Sequence, residues 1–191
     1  MRSEEHPMRR YMEAFLNKYN ENRTCKVALS QAYNVSVWHN ALYKIDTAHN
    51  KKADGEMKTE IKAAWHNILV EKSAKYKEST SSEDYENDII FLKKEMNERF
   101  YLWFRNERFK ISHSQKSLSV FLKHLWCMGK IAEPPQCPVD RTILTIAGAH
   151  LQHRGWRHVN NICEHRQKIR LLRNAAGSES LARWELRSFV G

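Results

Sequence analysis

Lys116 and Asp140 are the two residues whose types and placement could do chemistry together. A primary amine that has lost its proton can attack an electrophilic carbon. A carboxylate can stabilise developing positive charge or orient a water. The amine falls early in a helical stretch. The carboxylate follows a turn that holds Pro134, Pro135 and Pro138. Each proline fixes its own φ and restricts the residue before it, so the return path to Asp140 is stiff. Plainer roles exist for both residues. Lys116 could be a solvated helix lysine, and Asp140 could be the N-cap of the next helix.

The helix that presents Lys116 is read as starting near residues 112–114 and ending near Met128, with Gly129 as its stop. Ser112-x-x-Gln115 is a candidate capping box, and Ser114 is a second candidate cap. Leu118, Phe121, Leu122 and Leu125 fall at i, i+3, i+4 and i+7 and define one buried face. A turn of about 100° per residue places Lys116, Val120, Lys123 and Cys127 on the opposite side, facing solvent or a cleft.

The surrounding stretches are also helical in period, which predicts an all-α fold. Met8, Met12, Phe15, Leu16 and Tyr19 repeat at helical spacing, as do Met57, Ile61, Ala64, Trp65, Ile68 and Leu69. Asp54-Gly55 signals a turn before that second stretch. Residues 26–48 read as helical, in one or two pieces. Ser79-Thr80-Ser81-Ser82-Glu83-Asp84 reads as a loop that caps a helix over residues 83–108. Helices are expected over residues 141–151 and 156–174, the latter ended by Gly177, and a last short one carries Leu181, Trp184 and Leu186. One helical domain over residues 1–191 is expected, with room for two subdomains and a cleft between them.

The 191 residues contain 32 Lys and Arg against 22 Asp and Glu, a net charge of +10. That surplus favours a polyanionic partner, with nucleic acid first and an anionic membrane second. The series Arg154, Arg157, His158, His165, Arg166, Lys168, Arg170 and Arg173 could track a phosphate backbone, or could be a solvated helix face. Trp156, in Gly155-Trp156-Arg157, is the tryptophan expected to touch DNA, whereas Trp126 sits beside Leu122 and Leu125 on the core side. No apolar run approaches membrane-spanning length, and no signal peptide is expected. Cys25, Cys127, Cys137 and Cys163 form no Cys-x-x-Cys pair and suit reduced thiols in the cytoplasm. His150, His153, His158, Cys163 and His165 have zinc-ligand types without a familiar spacing, so no metal and no cofactor are expected.

Gln115-Lys116-Ser117 followed by Pro138-Val139-Asp140-Arg141 resembles the helix–hairpin–helix DNA glycosylase superfamily. There a hairpin leads into a helix whose first turn often holds a catalytic lysine, and a Pro-Val-Asp or similar triplet supplies a catalytic aspartate. The match covers about residues 108–148. The family's Gly-x-Gly hairpin is replaced here by Lys110-Ile111-Ser112-His113-Ser114, which has no glycine. The resemblance implies a monomeric enzyme that extrudes a modified or damaged base from double-stranded DNA and cleaves its N-glycosidic bond. Asp140 would be essential, and Lys116 nucleophilic or substrate-positioning. Candidate DNA contacts are Ser112, His113, Ser114, Lys123, Arg141, Arg154, Trp156 and Arg157. It further implies a defensive role, with a bulky modified pyrimidine in viral DNA as target. The alternatives are a non-catalytic helical DNA- or RNA-binding regulatory protein and a helical nuclease toxin.

Overall fold

In the computed structural model, residues 8–40, 42–43, 55–149 and 153–190 are described, and among them every regular element is helical. The helices are α1 (Arg9–Tyr19), α2 (Cys25–Asn40), α3 (Gly55–Ser73), α4 (Ser82–Phe100), α5 (Ile111–Cys127), α6 (Arg141–Ile146), α7 (Ile162–Ala176) and α8 (Leu181–Val190). Short 3₁₀ turns extend or join them at Ala74–Lys77, Tyr101–Trp103, Arg105–Glu107 and His153–His158. Extended pairing among the described residues is limited to a single bridge between Tyr43 and Phe104.

Local chemistry explains most of the boundaries. The Ser81 hydroxyl accepts from the Asp84 N–H, and Glu83 and Asp84 lie against the positive end of α4. Asn161 caps α7 through the Glu164 N–H, and Gly177 ends that helix at φ 61°. Gly129, at φ 69°, turns the chain out of α5.

Several expected boundaries moved. The helix expected over residues 83–108 stops at Phe100. Asn106 takes a left-handed φ of 56°, and its neighbours form two 3₁₀ turns, so the helix path cannot continue there. The α5 helix starts at Ile111, with the Lys110 N–H donating to His113 Nδ1 at 2.9 Å, so neither Ser112 nor Ser114 is its cap. The helix expected over residues 141–151 ends at Ile146, and the one expected over residues 156–174 is a 3₁₀ turn followed by α7. Residues 41 and 44–48 of the stretch read as helical, and Asp54 of the Asp54-Gly55 signal, lie outside the described residues.

The larger correction concerns α5. Apart from Val120, which is partly buried, all of its residues are buried, on its polar side as well as its apolar one. It packs against α1, α2, α3, α4 and α7. Its hydroxyls find partners on the surrounding helices. Trp65 Nε1 donates to Ser117 Oγ at 3.0 Å, and Ser119 pairs with the Tyr85 hydroxyl. A buried polar group with a partner avoids the desolvation penalty that would otherwise push that face outward.

Three apolar clusters surround α5. One gathers α2, α3, α4 and α5 around Trp65, Tyr85 and Phe109. A second joins α6, α7 and α8 around Leu144, Trp156 and Leu172. A third packs α1 against α8 and the end of α5 through Phe15, Leu16, Trp126 and Leu186.

Candidate functional site

A cavity of about 430 Å³ opens where the three clusters meet, within the range of small-ligand sites. α5 supplies Lys116, Val120, Lys123 and His124. The proline segment and α6 supply Pro138, Asp140, Arg141 and Thr142. α1 and α8 supply Phe15, Tyr19, Glu185 and Phe189, α2 supplies Gln31 and Val35, and the 3₁₀ turn adds Trp156 and Arg157.

Lys116 and Asp140 meet at one side of this cavity. Lys116 Nζ lies 2.5 Å from Asp140 Oδ2, and Lys116 is only 7% exposed. The other carboxylate oxygen, Oδ1, accepts from the Ile143 N–H at 3.0 Å and caps α6. Capping and ion pairing are therefore not alternatives for Asp140, because each oxygen serves one of them. Burial alone would raise the Asp140 carboxyl. The Lys116 ammonium, its hydrogen bond and the Ile143 N–H outweigh that and hold the carboxyl below its ordinary range. Asp140 thus remains an anion at neutral pH.

The approach to Asp140 is clamped along its length. The Ala132 N–H donates to the Tyr76 carbonyl at 2.8 Å. His165 Nε2 pairs with Gln136 Oε1 at 2.8 Å, while Gln136 Nε2 donates to Glu86, which also accepts from Arg166. One residue before Asp140, the Gln115 amide bonds both main-chain groups of Val139. The stiffness expected from three prolines is thus reinforced by side chains from α4, α5 and α7.

A second acid–base pair lines the same cavity. Lys123 Nζ lies 2.9 Å and 2.7 Å from the two carboxylate oxygens of Glu185. The ammonium also sits over the rings of Phe15, at 4.6 Å, and Phe189, at 4.2 Å. Next to it, the His124 ring packs at a tilt against Phe15, with centroids 4.7 Å apart. Burial, with Lys123 adding, pushes the His124 imidazole down to about 4, so it is neutral at pH 7.

No family model, curated protein or solved structure matches this chain. The site has to be read from its own chemistry.

The candidate DNA contacts divide sharply. Arg141 and Arg157 are exposed at the mouth of the cavity, where a phosphate could reach them. Lys123 is buried and held by Glu185, so it does not project towards a backbone phosphate. Trp156 is 5% exposed and packed in the α6–α7–α8 cluster, so it forms a cavity wall instead of a free loop contact. Ser112, His113 and Ser114 are buried as well, and their amides donate to Val159 and Lys110 carbonyls. Ser112 Oγ donates to the Arg157 carbonyl at 3.0 Å, which ties α5 to the turn that carries Arg157. These three residues brace the site and offer no free group to a phosphate. The side chain of Arg154 lies outside the described residues, as do the side chain of His153 and all of His150. Cys163 is exposed, while His165 is buried against Gln136.

Sequence reasoning did not single out Gln115 as a clamp, nor Phe15, Glu185 and Phe189 as cavity residues. Gln115 adjoins Lys116, which is a usable signal. Glu185 carries no local signal, because its partner lies 62 residues away.

No helix among the described residues is long and apolar enough to cross a membrane.

Proposed function

We propose that this protein is a DNA glycosylase that cleaves the N-glycosidic bond of a modified or damaged base flipped out of duplex DNA. The observation that carries this reading is the Lys116–Asp140 ion pair at 2.5 Å on the wall of a cavity of small-ligand size. Breaking a glycosidic bond leaves positive charge on the sugar, and a carboxylate fixed by two partners is suited to stabilise it. The aromatic wall of Phe15, Tyr19, Phe189 and Trp156 suits a planar base removed from its stack.

Two outcomes follow from the same geometry. A water oriented by Asp140 attacks the anomeric carbon, the bond to the base breaks, and an abasic site is left. Alternatively, the Lys116 amine, after losing its proton, attacks that carbon as the bond to the base breaks. The sugar ring then opens, its oxygen taking the electron pair and a proton, and the imine left behind permits strand cleavage. Arg141 and Arg157 at the rim, together with the net charge of +10, favour a polyanion as substrate. The reading takes the protein as a cytoplasmic monomer, in keeping with four free thiols.

The test is a base-release assay. Duplexes with oxidised, alkylated, deaminated, hydroxymethylated or glucosylated bases are incubated with the protein and assayed for abasic sites and direct strand cleavage. Release from at least one duplex is expected. The Asp140→Asn variant, which retains an N-cap acceptor for α6, should lower it by about 100-fold or more with duplex binding intact. If the variant released base as fast as the parent, the proposal would fail.

A further inference from the structure

The cavity has a far wall as well as a catalytic one. Lys123 lies seven residues beyond Lys116 on α5, which is about 10 Å along the helix and places it on nearly the same side. Both side chains line the same cavity of about 430 Å³. The reacting carbon belongs beside Lys116 and Asp140, so the base extends towards Lys123 and Glu185.

The chemistry of that far wall is selective. A base that is neutral in DNA departs with the electron pair of the broken bond and becomes an anion unless something donates a proton to it. A base already alkylated at a ring nitrogen is cationic in DNA and departs neutral, so it needs no donor. Two aromatic rings and a carboxylate, taken alone, would welcome a cationic base. Here that position is already filled by the protein's own ammonium, set over the rings of Phe15 and Phe189 and paired with Glu185. A cationic base on this wall would face the Lys123 ammonium, and like charges in a buried site repel. The Lys116 charge is balanced by Asp140 and the Lys123 charge by Glu185, so neither pair leaves a net negative charge to attract a cationic base, and Arg141 and Arg157 line the same cavity.

Resting on the glycosylase reading, we infer that Lys123, held by Glu185, is a base-reading and leaving-group residue that restricts the enzyme to bases uncharged in DNA. As the glycosidic bond breaks, its electron pair moves onto the base. The Lys123 ammonium donates a hydrogen bond or its proton to an oxygen or nitrogen on the base's far edge, while Glu185 accepts from an N–H beside it. The anomeric carbon gains its new bond from water or from Lys116, and the proton the nucleophile sheds passes by way of the Asp140 carboxylate to solvent. Lys123 regains a lost proton from solvent when the base leaves.

The experiment compares release of neutral bases from the panel above with release of N7-methylguanine, a cationic base, under single-turnover conditions. The wild-type protein should release a neutral base and leave N7-methylguanine almost untouched. In Lys123→Met/Glu185→Gln, which removes both buried charges at once, the ratio of neutral-base to N7-methylguanine release should fall by about 100-fold. Lys123→Arg, which keeps the cation, should preserve the wild-type preference. A purely structural role for the pair would slow both substrates alike and leave the ratio unchanged, and that result overturns the inference. So does a wild-type protein that prefers N7-methylguanine. Release of no base from any duplex by the wild-type protein sinks the glycosylase reading itself, and so is distinguishable from failure of this one.

Discussion

Gln115 holds Val139 by both ends of its side-chain amide. Nε2 donates to the Val139 carbonyl at 2.8 Å, and the Val139 N–H donates to Oε1 at 3.1 Å. The amide thus behaves like a neighbouring strand and sets the height of the next residue, Asp140. Gln115→Leu would leave two buried main-chain groups without partners, at a cost of about 2 kcal/mol. The expected outcome is a single-turnover base-release rate reduced about tenfold or more, with duplex affinity unchanged. Urea unfolding and a binding titration, run beside the release assay, check both halves.

In the Lys116–Asp140 pair the lysine is buried and the aspartate partly so, and the two should not behave independently. Lys116→Met leaves an uncompensated carboxylate in the protein, which typically costs about 3 kcal/mol or more. Asp140→Asn leaves a buried ammonium without its counter-ion. The double variant removes both charges and should be more stable than the sum of the single losses implies, by about 2 kcal/mol. Four unfolding curves measure this coupling. Additivity within experimental error would mean that the pair contributes nothing jointly.

Acid should weaken the fold well before the carboxylates titrate. Burial pushes His124 and His165 down to about 4, with Lys123 and Arg166 respectively adding to the effect. In the unfolded chain both return to about 6.5, so between these values the unfolded state binds more protons. Stability is therefore complete above about pH 6.5 and falls as pH drops towards about 4, by up to roughly 3 kcal/mol for each histidine. Asp140 has the same sign but a lower window. Its contribution is present above the ordinary carboxyl range and is lost only as pH falls through its lowered folded value. Urea midpoints between pH 7 and pH 4 should decline, and His165→Gln should flatten the decline while lowering stability at pH 7.

Arg141 stands exposed at the cavity mouth, one residue from Asp140. If a backbone phosphate docks there, Arg141→Gln weakens binding to every duplex by a similar factor. The slope of log affinity against log salt should then become shallower by about one unit. Fluorescence anisotropy over a salt series gives that slope. An unchanged slope would place the phosphate elsewhere.

Much of this arrangement could be read from the chain, and the limits have physical causes. Apolar period and composition together located the long helices, and the Ser81 cap was visible because it acts on a residue three positions away. The meeting of Lys116 with Asp140 could be anticipated because a short, proline-stiffened segment joins them. The full burial of α5 could not. Periodicity assigns polar residues to the solvent side, yet Ser117, Ser119 and Lys123 are satisfied by partners 52, 34 and 62 residues away. The break at Asn106 was equally hidden, since no glycine or proline marks that left-handed turn. Trp156 read as a loop residue because Gly155 precedes it, but the 3₁₀ turn folds its ring into the second cluster.

A helix sheathed on nearly every side cannot fray without the rest of the molecule. The amides of α5 should therefore exchange with solvent only through openings close to global unfolding, while α1 and α8, at the edge of the structure, open more readily. On the glycosylase reading, Lys116 and Lys123 would then belong to the stationary part of the machine. Admission of a base, and its discharge afterwards, would fall to the breathing of the walls that face them.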